Sequence, residues 1–470
     1  MGTNVKSTYH ELMDEAASHG YDIASLEFAQ YLDSQDEFKE YRELFYVPRK
    51  KTLPQTDLSL VDGESESVYL LGNSLGLQPK QSRQDLMEYM DKWAEMGFKG
   101  YFHGKHRWID LQDTVAKDML CPIVGAKPIE ICIMNSVSVN IHLLMISFYQ
   151  PTTERYKILI DHGAFPSDHY AVQSQIRMHD YDSDEAMILV KARDGENTLR
   201  TEDIIAKINE FGDAIAMILL PGVQSFTGQL FNIKEITKAA HDKGCYVGWD
   251  LCHAAGGVEL KLHEWDVDFA VWCTYKLLNT GPGSIGACFV HEKYAYRKDF
   301  KRLDGWFGHR LETRLNMTNV MEHAPGASGF QLATTPVADV VRLISSLDIY
   351  SRVSLPKLFE KARKGVVYME ALYRHYFMNN DTSADCKKVE SVAEIISPSD
   401  PCERGTLFAF RFPGRVDFVC DGLAKNGIAV TVLKSEIIRA GFAPLYNSFQ
   451  DVHTFITTLH NLFTQEENRK

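Results

Sequence analysis

Residues 268–287 read DFAVWCTYKLLNTGPGSIGA, and their first part is an apolar, strand-like run that ends at Tyr275 and Lys276. A loop with three glycines follows this run. A buried lysine is costly unless its amine has a partner, and glycines let the backbone come close to a bound group. The stretch therefore predicts a sheet strand that leads directly into a binding loop.

The segments upstream of this stretch alternate between strand patterns and helix patterns. Strand patterns occupy residues 156–161, 186–190, 214–220 and 245–250, and helix patterns occupy residues 169–179, 201–211 and 233–244. Repeated β-α-β units with nearly continuous apolar strands predict an α/β fold, in which helices cover both faces of a mostly parallel sheet. Ligands of such sheets bind beyond the carboxyl ends of the strands.

Changes in the helix and strand patterns along the sequence predict three structural parts. We expect an N-terminal helical arm over residues 1–65, a large α/β domain over residues 66–342 and a small α+β domain over residues 343–470. The last part contains long helix patterns, a polar segment at 379–391 that predicts a surface loop, and an alternating strand pattern, TLFAFRF, at 406–412.

Composition limits the classes of protein to consider. The 470 residues carry a net charge of −13 without a block of Lys and Arg, which argues against a nucleic-acid surface. Apolar runs are too short to span a bilayer, and the polar, acidic N-terminus does not resemble a secretory signal. Nine cysteines without a CxxC motif predict reduced thiols and a cytoplasmic protein.

Two charged side chains stand at the ends of neighbouring predicted strands. Asp250 closes the strand in CYVGWDLCHAAG, and Lys276 closes the next one. Singly, Asp250 could cap a helix and Lys276 could be a solvated strand end. Together with the glycine-rich loop at 281–286, they favour a pyridoxal phosphate site, where the lysine amine bonds to the cofactor aldehyde and the carboxylate keeps the pyridine nitrogen protonated.

A phosphate site and a stacking ring should accompany this pair. In MNSVSVNIHLLMISF (134–148), Asn135 or Ser136 caps a predicted helix whose first turn includes Val137 and Ser138. Backbone N–H groups and a hydroxyl at a helix N-terminus bind phosphate well. Phe165 follows the strand at 156–161 and is either the stacking ring or a core phenylalanine.

Several longer motifs point to one family. They are YLLGNSLGLQP, AFPSDHYA, GCYVGWDLCHAAG, DFAVWCTYKLLN, GWFGH and PLYNSF, spread over roughly residues 40–465. Together they resemble kynureninase, a family of fold type I pyridoxal-phosphate hydrolases related to the class V aminotransferases. The resemblance implies a homodimer that cleaves the Cβ–Cγ bond of L-kynurenine or 3-hydroxy-L-kynurenine, releasing an anthranilate and L-alanine in tryptophan degradation.

The resemblance also implies a role for each matching residue. Lys276 and Tyr275 are expected to be catalytic, Lys276 through its bond to the cofactor and Tyr275 through proton transfer. The expected cofactor-binding residues are Val137, Ser138, Phe165, Pro166, Ser167, Asp168, Asp250, His253, Tyr275, Lys276, Thr334 and, from a second subunit, Trp306. The expected substrate-binding residues are Ser74, Tyr101, Thr334 and Arg439, with Arg439 on the α-carboxylate, and no metal site is expected.

Three positions depart from the animal members of the family that prefer the 3-hydroxylated substrate. Tyr101 stands in place of a histidine, Thr334 in place of an asparagine, and Pro221 in place of a serine near the cofactor. The first two would face the aromatic ring of the substrate, so the preference between kynurenine and 3-hydroxykynurenine stays open. Pro221 lacks a hydroxyl and an N–H, which puts one cofactor contact in question.

Two other functions are possible for a chain with these motifs. A different class V enzyme, such as a cysteine desulfurase, usually carries a histidine directly before the reactive lysine and a mobile catalytic cysteine, whereas Tyr275 precedes Lys276 here. A catalytically dead relative that serves as a binding protein would have lost Lys276, Asp250 or Arg439, and all three are present.

Overall fold

The computed structural model describes residues 9–378, 393–433 and 436–467, so the polar segment predicted at 379–391 lies outside the described residues. The chain divides into two compact units. The first consists of Met1–Gln78, Phe226–Gln229 and Val353–Lys470, and the second of Pro79–Ser225 and Leu230–Arg352. None of the helices in the described ranges has the length and apolar character needed to cross a membrane.

Helices and strands are numbered in chain order. The α-helices are α1 Tyr9–Ser18, α2 Leu26–Gln35, α3 Lys80–Met96, α4 Lys117–Val124, α5 Val137–Phe148, α6 Pro166–Met178, α7 Ser183–Ala186, α8 Thr201–Phe211, α9 Ile233–Asp242, α10 Val337–Ser351, α11 Leu355–Phe377, α12 Val416–Lys425 and α13 Phe449–Glu467. The strands are β1 Phe45–Tyr46, β2 Val68–Tyr69, β3 Gln78–Pro79, β4 Ile131–Ile133, β5 Lys157–Asp161, β6 Met187–Val190, β7 Ile215–Pro221, β8 Tyr246–Asp250, β9 Phe269–Cys273, β10 Gly286–Val290, β11 Glu394–Ile395, β12 Leu407–Arg411, β13 Ile428–Ala429, β14 Thr431–Leu433 and β15 Ile437–Gly441.

The described part of the second unit is built on a seven-stranded sheet with the order β4-β10-β9-β8-β7-β5-β6. The pairs from β9 to β6 are all parallel, and β10 runs antiparallel to both of its neighbours. The predicted α/β fold with a mostly parallel sheet is therefore confirmed. The sequence patterns did not reveal β4, which has only three residues, or β10, which follows the glycine loop directly.

Side chains on both faces of this sheet pack closely against the helices that cover it. Phe148 of α5 stacks on Phe269 of β9 with ring centroids 4.8 Å apart. A Cβ atom at Gly248 would lie 2.1 Å from the Phe269 ring, so this position in β8 has room only for glycine. Near the next strand position, the indole N–H of Trp249 donates to the hydroxyl of Thr237 on α9 at 3.2 Å.

The described part of the first unit is built on an antiparallel sheet with the order β11-β12-β15-β14. Residues 428–433 form two short strands, because β13 pairs with β2 whereas β14 pairs with β15. The N-terminal helices belong to the same core as the C-terminal ones: Phe28 of α2 is fully buried and packs edge-on against Tyr368 of α11.

Candidate active site

The carboxyl edge of the parallel sheet holds a cavity of about 320 Å³. Its walls come from the ends of β5, β7, β8 and β9 and from the N-terminus of α5, as expected for a ligand site in such a sheet. The lining residues are Ser136, Val137, Ser138, Gly163, Phe165, Ser167, Asp168, Pro221, Val223, Gln224, Ser225, Asp250, Cys252, His253, Cys273, Tyr275, Lys276, Gly283 and Ser284. Most of the residues that the sequence assigned to the cofactor are thus brought together.

Lys276 lies in a turn whose start and end are joined by side-chain hydrogen bonds. Two residues before Lys276, the buried Thr274 hydroxyl contacts the hydroxyl of Thr280 at 2.7 Å and donates to the carbonyl of Ile285. These contacts tie the start of the loop to its end. The Lys276 amine consequently has a defined position, and its Nζ lies 3.0 Å from Nε2 of His253.

Asp168 and Asp250 are both buried in the cavity wall, and their carboxyl groups interact with each other. Burial, followed by the charge of Asp250, raises the pKa of Asp168 well above its usual range. The raised pKa favours the protonated form of Asp168, which can donate a hydrogen bond to the Asp250 carboxylate. The backbone N–H of Cys252 also donates to Oδ1 of Asp250, at 2.8 Å, which orients the Asp250 carboxylate in the cavity wall.

The N-terminus of α5 offers an anion site. Ser136 is the N-cap in an extended conformation, and its side chain makes no capping hydrogen bond to the helix. The N–H groups of the first turn, which includes Val137 and Ser138, are therefore not satisfied by a side-chain cap. Such a helix start binds phosphate through its N–H groups and its partial positive charge.

Two aromatic side chains line the same cavity. Phe165 precedes α6, and its ring is 46% exposed, so it is not the core phenylalanine that the sequence left open as an alternative. Tyr275 is half-buried and its phenol hydrogen-bonds to Cys273. Burial, followed by the charges of Cys273 and Cys252, raises the pKa of Tyr275 well above its usual value, so Tyr275 is a proton donor at neutral pH.

Four predicted residues of the second unit are not among the described lining residues of this cavity. Tyr101 ends a short 3-10 helix and packs edge-on against Trp108, with ring centroids 5.6 Å apart. Trp306, Thr334 and Pro166 are exposed on the surface.

The two remaining predicted residues belong to the first unit. Arg439 on β15 is 5% exposed, and its guanidinium contacts the hydroxyl of Ser74 at 3.4 Å. The Ser74 hydroxyl also contacts that of Thr431 at 2.8 Å. Burial lowers the pKa of Arg439 to about 10, which marks a cation that has given up much of its hydration.

Sequence reasoning missed several residues of the wall, among them Gln224 and Ser284. Gln224 donates to Oδ2 of Asp161 at 3.2 Å and to the carbonyl of Gly163 at 2.8 Å, and thereby fixes the loop that carries Phe165. The available signal was the position of LLPGVQSFTG directly after a predicted parallel strand. Pro221, where the family has serine, ends β7 within the wall.

Comparisons with known proteins agree with this geometry. Family profiles described as aminotransferase class-V and kynureninase C-terminal domain match residues 68–375 and 374–459. The chain is 45% identical to the kynureninase of Nematostella vectensis, covering 95% of this chain and 96% of that one. It is 44% identical to the kynureninase of Homo sapiens, covering 94% of each chain.

The solved structures show the same fold at low identity. An apo cysteine desulfurase from Thermococcus onnurineus matches 88% of this chain and 98% of its own with a TM-score of 0.66, at 18% identity. At that identity the likeness concerns the fold alone. The identity to the kynureninases over almost the whole length decides the family, and this chain belongs to the kynureninases.

Proposed function

We propose that this protein is a pyridoxal-phosphate-dependent hydrolase that cleaves the Cβ–Cγ bond of L-kynurenine, 3-hydroxy-L-kynurenine or both, giving an anthranilate and L-alanine. The observation that carries the proposal is the placement of Lys276, His253 and the Asp168–Asp250 pair in one cavity at the sheet edge, in a chain of this family.

The residues of the cavity fit the cofactor. Lys276 offers the amine, Asp250 offers a buried carboxylate for the pyridine nitrogen, and the uncapped start of α5 offers N–H groups to the phosphate. The exposed ring of Phe165 offers a stacking face. Bound pyridoxal phosphate supplies an aldehyde that links to an amine and a ring that stabilises negative charge at the α-carbon of the substrate.

Proton transfer at the α-carbon is assigned to Lys276. A lysine acts as nucleophile and base only as the neutral amine. His253 Nε2, at 3.0 Å, is placed to share the proton of the ammonium. The raised pKa of Asp168 favours its neutral, protonated form, and in that form this second buried carboxyl adds no uncompensated charge to the same wall.

Proton transfer at the side-chain ketone is assigned to Tyr275. Cleavage requires water at the carbonyl carbon and a proton on the fragment that retains Cβ. Tyr275 is protonated at neutral pH and lies in the cavity wall directly before Lys276. A general acid in this position supplies typically 10²- to 10⁴-fold in rate.

We also propose a cytoplasmic homodimer. The segment 303–320 exposes a run of large apolar side chains, namely Leu303, Trp306, Leu311, Leu315, Met317 and Val320. Such clusters mark protein interfaces, which supports a role for Trp306 at a subunit boundary.

Every cysteine in the described ranges is a free thiol, which favours a reducing compartment. Light scattering that gives the mass of one chain would contradict the dimer, and activity confined to an organelle fraction would contradict the location.

Replacing Lys276 by arginine tests the covalent role of its amine. Lys276→Arg keeps a cation but removes the nucleophile, so we expect turnover to fall by at least about 10³-fold. Borohydride reduction followed by mass spectrometry should find cofactor attached at residue 276 in the wild type and none in the variant. Lys191→Arg, at an exposed lysine directly after β6 of the same sheet, is the control and should behave as wild type. Retained turnover in Lys276→Arg excludes the assignment.

Replacing Arg439 by lysine tests its proposed role on the α-carboxylate. A lysine cannot form the paired hydrogen bonds of a guanidinium, so we expect KM for L-kynurenine to rise about 10- to 100-fold. Arg411→Lys is the matched control, because Arg411 lies on the neighbouring strand β12 and pairs with the half-exposed Glu394 at 2.7 Å. Equal KM values for the two variants would contradict the role.

Substrate choice tests Tyr101 and Thr334. We expect the double variant Tyr101→His with Thr334→Asn to raise kcat/KM for 3-hydroxykynurenine relative to kynurenine about five- to tenfold, the value of one added hydrogen bond. Tyr89→His is the control, because Tyr89 also contacts Trp108, at 5.4 Å, without being expected near substrate. If the ratio of the two kcat/KM values is unchanged in the double variant, Tyr101 and Thr334 do not determine the choice of substrate.

A further inference from the structure

Two cysteines stand side by side in the wall of the candidate cavity. Cys252 follows β8, and Cys273 ends β9. Because Asp250 and Val271 are register partners in these parallel strands, the two cysteines lie level with each other. The backbone N–H of Cys273 donates to Sγ of Cys252 at 3.3 Å, and Sγ of Cys273 lies 4.0 Å from the carbonyl oxygen of Cys252.

The thiols of Cys252 and Cys273 also interact with each other. This interaction, followed by burial, raises the pKa of Cys252 well above its usual value. Burial alone would raise the pKa of Cys273 as well, but the interaction with Cys252 and the charge of Lys276 outweigh it and lower that pKa. The thiols are therefore unequal, and the reactive thiolate form is favoured at Cys273 over Cys252.

We propose that Cys252 and Cys273 form a modification site at which a hydroperoxide produces a reversible disulfide. The Cys273 thiolate attacks the peroxide, so that an S–O bond forms, the O–O bond breaks and the alcohol (or water) leaves with a proton. The sulfur of Cys252 then attacks that of Cys273, so that the S–S bond forms, the S–O bond breaks and water leaves with the Cys252 proton. Two thiols lose two electrons, and one peroxide gains them.

The cross-link would disturb the groups around it. A disulfide has an S–S length of about 2.05 Å, so the two sulfurs must approach each other to that length before the bond forms. Cys252 holds Asp250 through its backbone N–H, and Cys273 holds the Tyr275 phenol through its thiol. A displacement of about 1 Å in such a site can lower turnover about 100-fold. This loss of turnover rests on the proposed function, whereas formation of the disulfide does not.

The chain contains a matched control pair. Cys132 and Cys288 are register partners on the antiparallel strands β4 and β10 and also contact through their thiols. Both are fully buried in the core and neither is among the described lining residues of the cavity. The two thiols of this control pair are close to each other, like those of the first pair. They differ in lying away from solutes in the cavity and from Lys276.

The test is a time course of hydrogen peroxide treatment of the full chain purified with pyridoxal phosphate, in which alkylation and peptide mass mapping identify each disulfide. We expect a 252–273 disulfide to form at least tenfold faster than a 132–288 disulfide and to be removed by dithiothreitol. Turnover should fall and recover in step with it. Cys252→Ala should leave Cys273 oxidised to its oxygen acids without the disulfide, and Cys288→Ala should not change the rate at the first pair.

Two results would overturn the proposal: no 252–273 disulfide in the wild type, or equal rates for both pairs. If the disulfide forms as expected in a protein that never turns over kynurenine, the modification site stands and the proposed function fails. Because the mass readout does not depend on turnover, the two failures are distinguishable.

Discussion

The cation of Lys276 lies in one cavity wall with the buried carboxyl groups of Asp168 and Asp250, and the site depends on this balance of charges. Charges removed from water are tolerated only when they are paired or neutralised. Two adjacent carboxylates and one cation would leave an excess negative charge. A proton on Asp168, which its raised pKa favours, removes this excess and leaves one cation and one anion in the wall.

The sheet makes this arrangement possible. Because the parallel strands β8 and β9 end at the same edge of the sheet, their last residues and the turns that follow lie next to each other. The antiparallel strand β10 carries the chain back from the Lys276 turn and pairs with both β9 and β4. The carboxyl end of β4 then leads into α5. Amine, carboxylate and helix N-terminus are therefore fixed by the same set of backbone hydrogen bonds.

Local patterns in the sequence were sufficient for much of this fold. The parallel strands and the helices between them follow from apolar runs and helical periodicity, and α8 begins and ends where its helix pattern does. The pair Asp250 and Lys276 could be found because both close strands. The packing of Phe28 against Tyr368 could not, because it joins segments far apart in the chain that no local pattern relates. Gln224 and the protonated state of Asp168 depend on three-dimensional neighbours in the same way.

The measurement that tests the central claim most directly is a product assay on the purified protein with pyridoxal phosphate, in which L-kynurenine and 3-hydroxy-L-kynurenine are offered side by side and alanine and the anthranilates are quantified. The account predicts equal amounts of alanine and of the matching anthranilate from at least one substrate, and none without the cofactor. Bound cofactor with no aromatic product from either substrate would contradict the account.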